Sequence, residues 1–111
     1  DVLQIFEGFM DFLSWQTLNP SSTCDTIVLN SLALLPRIQE KIKSYKQVES
    51  FLDNDDAGQK SFEVLKHFCP SIIDGSVRYR THKDINEWLI AQSKMKEKQP
   101  LLLTTKRSIR R

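Results

Sequence analysis

The chain has 111 residues, 40% of them hydrophobic, and carries 16 Lys and Arg against 14 Asp and Glu, which is material for one domain around one core. No apolar run approaches the roughly 20 residues needed to span a bilayer, and the first residues lack the basic-then-apolar layout of a signal peptide, so a soluble, cytoplasmic protein without a membrane partner is expected. Cys24 and Cys69 lack the close spacing of a disulfide framework, and His67 with Cys69 is too sparse a pair for zinc.

Asp1 leads straight into an apolar run without an initiating methionine, as a piece of a longer chain would. Leu3 to Phe6 is short, mostly apolar and stopped by Glu7 and Gly8, which reads as a buried strand. Phe9, Phe12, Leu13 and Trp15 then return at helical intervals up to Leu18, before Asn19, Pro20, Ser21 and Ser22 break the pattern. The unit recurs. Thr26 to Leu29 is a β-branched run, Asn30 and Ser31 are caps, and Leu34, Leu35, Ile38, Ile42 and Tyr45 make a helical stripe with Pro36 in its first turn. A third unit takes Val48 to Leu52 as strand, Asp53 to Gly58 as turn, and a helix to Phe68 with Phe62, Leu65 and Phe68 on one face.

These repeats predict an α/β fold with a mostly parallel sheet of about four strands flanked by helices. Ile72 and Ile73 supply the fourth strand, Asp74 and Gly75 a turn, and Val77 to Arg80 another extended piece. A last helix is predicted from Asp84 to Met95, with Ile85, Trp88 and Leu89 inward, and the Met and aromatic residues along the helices are expected in the core. Residues 1–93, the expected domain, hold 9 Lys and Arg against 13 Asp and Glu. Residues 94–111 hold 7 against Glu97 alone and read as a basic, flexible tail.

In an open parallel α/β sheet, ligands gather at the carboxyl ends of the strands. Here those positions are acidic: Glu7 follows the first strand, and Asp53, Asp55 and Asp56 follow the third. Alternate residues of an extended segment point the same way, so Asp53 and Asp55 can face one small volume. Gathered carboxylates repel unless a cation joins them. Mg²⁺, a hard ion that takes one or two carboxylates together with phosphate oxygens, suits them, and Mn²⁺ can substitute. A lone Asp-x-Asp turn is commonly a solvated loop, but Asp11, one helical turn beyond Glu7, brings a further acid to the same edge. Asp84 and Asn86, preceded by His82 and Lys83, form a third patch, with a helix cap and a solvated His-Lys pair as the plain alternative.

Three segments in this order resemble the motifs of the Toprim domain, which is shared by DnaG-type primases, topoisomerases, RecR-like proteins and some nucleases. Glu7-Gly8-Phe9-Met10-Asp11 is similar to the EGYMD segment of bacterial primases, Asp53-Asn54-Asp55-Asp56-Ala57-Gly58 to their DGDRAG segment, and Asp84-Ile85-Asn86 to their DPD segment. Asp56 stands where primases carry Arg, Asn86 replaces the second acid of the third motif, and Ala57 stands where type II topoisomerases place a third alternate acid.

The resemblance, from Leu3 to about Gln92, implies a compact Toprim, Rossmann-like fold and metal-dependent nucleotidyl or phosphoryl transfer on nucleic acid. It implies Glu7, Asp53 and Asp55 as the catalytic metal site, with Glu7 as a ligand or a general acid/base, and Asp11 and Asp84 serving a second ion or its waters. Gly8, Asn30, Asp56, Gly58, Lys83 and Asn86 are the supporting or nucleotide-contacting candidates. The first functional reading is a primase domain, as in mobile or conjugative elements, making RNA primers on single-stranded DNA from nucleoside triphosphates. Its partners would be upstream domains of the same chain and a helicase or other replication protein. Toprim nuclease or topoisomerase-type cleavage and a non-catalytic RecR-like scaffold are the alternatives. Tyr45 and Tyr79 are expected to be structural.

Overall fold

A computed structural model describes residues 1–97. Strands β1 (Val2–Phe6), β2 (Asp25–Val28), β3 (Gln47–Phe51) and β4 (Ile73–Asp74) form one sheet in the order β2-β1-β3-β4. Every pairing is parallel. Helices α1 (Phe9–Leu18), α2 (Gln39–Lys43), α3 (Asp56–Phe68) and α4 (Ile85–Glu97) flank it, giving the compact α/β, Rossmann-like architecture that the strand-helix repeats predict. The basic segment expected from Lys94 begins inside α4, and its residues 98–111 lie outside the described residues. No helix among the described residues is long and apolar enough to cross a membrane.

Strand alternation divides the core between the two sheet faces. Register pairs Leu3 with Val48 and Ile5 with Ser50 on one face, and Gln4 with Glu49 and Phe6 with Phe51 on the other. On the first face Leu3, Ile5, Val48 and Leu52 pack with Leu35, Ile42, Leu65 and Ile72, so α2 and α3 cover that side. On the second, Phe6 and Phe51 stack with ring centroids 4.9 Å apart, and Trp15, Tyr79 and Ile85 close over them from α1, α4 and the segment between β4 and α4. Gly75 is needed at this crossing, because a Cβ there would overlap the Phe51 ring.

Three local expectations change. The stripe from Leu34 to Tyr45 is not one α-helix: residues Leu32–Ile38 wind as a 3-10 helix, capped by Ser31, and only Gln39–Lys43 is α-helical. Pro36 lies inside the tighter segment, and lacking an N–H for an α ladder it delays the regular helix until after it. Val77–Arg80 is not extended. Asp74 Oδ1 accepts from the Ser76 N–H at 3.0 Å and from its hydroxyl at 2.6 Å, which starts a second 3-10 helix over Gly75–Tyr79. Finally, Phe9, Met10 and Met95 are exposed and not core, at 54%, 58% and 63%. Helix α1 turns Asp11, Ser14 and Trp15 inward because that face meets α4 and the acidic edge of the sheet.

Candidate metal centre

The order β2-β1-β3-β4 means that the chain leaves β1 toward one side of the sheet and later returns as β3 on the other. The crevice at such a reversal, beyond the carboxyl ends of the two strands, is where ligands bind in open α/β sheets. Glu7 and Asp53 flank it. Glu7 Oε1 accepts from the Asp53 N–H at 3.0 Å, which ties the two strand ends together across the crevice. Helix α1 begins at once and carries Asp11 inward, where it is 8% exposed. Asp84 arrives from the loop ahead of α4. One carboxylate oxygen each from Asp11, Asp53 and Asp84 lies within 4.8 Å of the others.

These acids perturb one another. Asp53 is pushed up to about 7, first by burial and then by Glu7, Asp11, Asp84 and Asp55. Asp11 is pushed up to about 6 by burial and by Asp84 and Glu7, against the opposing pull of the Asn86 and Gly8 backbone. Asp53 Oδ1 is buried without a hydrogen-bond partner among the described residues. The ion pairs among those residues, Lys43–Glu40 and Arg78–Glu49, lie elsewhere, so no side-chain cation neutralises the cluster. Hard oxygen donors, mutual repulsion and an orphaned carboxylate oxygen are what a divalent cation would satisfy, and the residues present fit such an ion.

The other residues singled out from sequence take several roles. Asp55 caps α3, its Oδ1 accepting from the Gly58 N–H at 2.8 Å, and stands beside the closest three acids, with its charge still bearing on Asp53. Gly58 allows that cap to sit against the Asp53 backbone, since a Cβ would overlap the Asp53 carbonyl oxygen. Asp56 is exposed in the first turn of α3. Gly8 is the N-cap position of α1. Asn30, at φ 59°, adopts the left-handed conformation that asparagine tolerates and donates its N–H to the Glu7 carbonyl at 2.9 Å. Asp84 both joins the acids and caps its helix, accepting from the Glu87 N–H at 2.8 Å. Asn86 instead accepts from the Ser14 hydroxyl at 3.1 Å, tying α4 to α1. The Lys83 side chain is exposed, and its carbonyl accepts from the Asn54 N–H at 2.6 Å.

Asn54 escaped the sequence reading because a spacer between two acids shows neither periodicity nor charge. Its Nδ2 donates to the carbonyls of Tyr79 and His82, both at 2.9 Å. The available signal was its identity: a spacer needs no polar side chain. Both tyrosines are structural. The buried Tyr79 hydroxyl donates to the Leu52 carbonyl at 2.8 Å and is pushed well above its ordinary value, chiefly by burial. Tyr45 donates to Asp25 at 2.7 Å, and that bond raises it too. The cleft on the β4 side of Asp53 holds about 20 Å³, room for a water and not for a nucleotide.

A family model described as Toprim-like matches residues 4–89, a span that contains Glu7, Asp11, Asp53, Asp55 and Asp84. No curated protein and no solved structure matches the chain.

Proposed function

The chain belongs to the Toprim-like family, whose domains bind divalent metal ions and serve enzymes of nucleic acids, and from that premise we propose that it is the Mg²⁺-dependent catalytic domain of a primase-like nucleotidyltransferase. The observation that supports this reading is the convergence of Asp11, Asp53 and Asp84 on one small volume, with no side-chain cation paired to them among the described residues. These three would hold the ion, with Glu7 and Asp55 completing its shell or binding the waters of a second. Once bound, the metal would neutralise phosphate charge and acidify a primer 3′-hydroxyl.

The chain's own residues contribute placement. Glu7 is fixed through Oε1 to the Asp53 N–H, leaving its second oxygen to take a proton from the attacking hydroxyl. Synthesis is favoured over tyrosine-mediated cleavage because both tyrosines are engaged in structural hydrogen bonds and Ala57 ends the acidic alternation after Asp55. The substrates would be nucleoside triphosphates on a single-stranded DNA template, with further domains of the same polypeptide and a helicase as partners.

The test is template-dependent incorporation of ribonucleotides on single-stranded DNA, assayed with the chain in its native polypeptide and with Mg²⁺ or Mn²⁺. Incorporation lost in Asp53→Asn is the expected result. Metal-dependent nicking without synthesis would reassign the domain to a nuclease, and metal binding with neither activity would point to a scaffold.

A further inference from the structure

We propose that Asn54 is a positioning residue, clamping the segment ahead of α4 so that Asp84 is held against Asp53. This rests on the metal reading above. Asp53 is placed by β3, and Asp11 by a helix that begins directly after β1. Asp84 caps the start of α4, but the stretch that leads to it from Tyr79 forms neither strand nor helix.

Asn54 fastens that stretch to the end of β3. The two hydrogens of its side-chain amide go to the carbonyls of Tyr79 and His82, at 2.9 Å each, and its backbone N–H goes to the carbonyl of Lys83 at 2.6 Å. One residue, the immediate neighbour of Asp53, therefore grips the chain at its last three carbonyl contacts before Asp84. Upstream, the Tyr79 hydroxyl is tied to the Leu52 carbonyl at 2.8 Å, so the segment is fastened to both sides of Asp53 along the chain. The choice of side chain follows from donor count. Aspartate has the same size but no hydrogen to donate when ionised, and it would add another negative charge beside the cluster. Alanine and serine cannot reach two carbonyls with two N–H groups.

Two measurements on the 111-residue chain separate the clamp from the metal reading. Without metal, amide exchange across Thr81 to Glu87 is expected to accelerate by roughly ten-fold or more in Asn54→Ala and in the similarly sized Asn54→Asp, while β1 and β3 amides hold their wild-type rates. Unchanged exchange would overturn the clamp whether or not metal binds. With Mn²⁺ as the probe, Asn54→Ala and Asp84→Asn are each expected to weaken binding by about ten-fold, within the range usual for groups that orient metal ligands. The double variant should bind no more weakly than Asp84→Asn alone, because a clamp acting through Asp84 has nothing left to position. Fully additive losses would reject the positioning role. A wild-type chain that binds no Mn²⁺ would sink the metal reading, and exchange alone would then judge the clamp.

Discussion

At Asp53, burial and four neighbouring carboxylates all act in one direction, and the carboxyl is pushed up to about 7. Near neutrality, protons and a cation therefore compete for the same group. Mn²⁺ affinity of the wild-type chain is expected to climb as pH rises from about 6 to about 8 and then level off, as calorimetric titration in a series of buffers would show. Asp53→Asn removes a ligand and a source of repulsion together. It is expected to weaken Mn²⁺ binding by roughly a hundred-fold while raising the metal-free melting temperature. Wild-type affinity in that variant would remove Asp53 from the centre.

Among the elements, α3 shows how one acid can serve structure and site together. Asp55 accepts the Gly58 N–H at the start of the helix, and its charge adds to the field at Asp53. The two roles separate by substitution. Asp55→Ala should lose about 1 kcal/mol of stability with the cap, whereas Asp55→Asn keeps an equally good cap and should lose little. Both should weaken Mn²⁺ binding, because both remove the charge. Urea unfolding and metal titration on the pair decide this, and equal stability of the two variants would deny the cap its role. Helix α1 shows the converse. Its inward face carries Asp11 and Ser14, and the apolar Phe9, Met10 and Leu13 are left in solvent, so the demands of the acidic edge override amphipathic burial.

For the molecule as a whole, the clustered acids make metal-free stability depend on pH in the opposite sense to ordinary salt-bridged carboxylates. Their folded values, about 6 for Asp11 and about 7 for Asp53, lie above the unfolded value near 3.9. Between about pH 4 and pH 7 the folded chain therefore holds protons that the unfolded chain has released. Stability contributed by these groups is present in full below about pH 4 and is lost as pH rises through 6 and 7. Denaturant unfolding in chelator should show that decline, and saturating Mg²⁺ or Mn²⁺ should reverse it at pH 7.5 through binding to the folded state. A metal-free stability that rises steadily from pH 4.5 to pH 7.5 would contradict the cluster.

Much of the architecture is legible in the sequence. Apolar runs of strand length followed by helical stripes implied a parallel sheet, and acids placed just after Phe6 and Leu52 implied a strand-end site, because side-chain periodicity is a local property of the backbone. Asp11 and Asp84 were recognisable as further acids of the same edge from the motifs around them. Tertiary structure decided which acids come closest: Asp11, Asp53 and Asp84 meet, while Asp55 turns one oxygen to its helix and Asn86 bonds Ser14. It also decided that α1 turns Asp11 and Ser14 inward beside Trp15 and that the Asn54 side chain grips a segment 25 to 28 residues further on. Local periodicity can say which residues share a face of one element. Which faces and carbonyls meet depends on strand order and on hydrogen bonds closed across long stretches of chain, and these form only when the whole sheet has assembled.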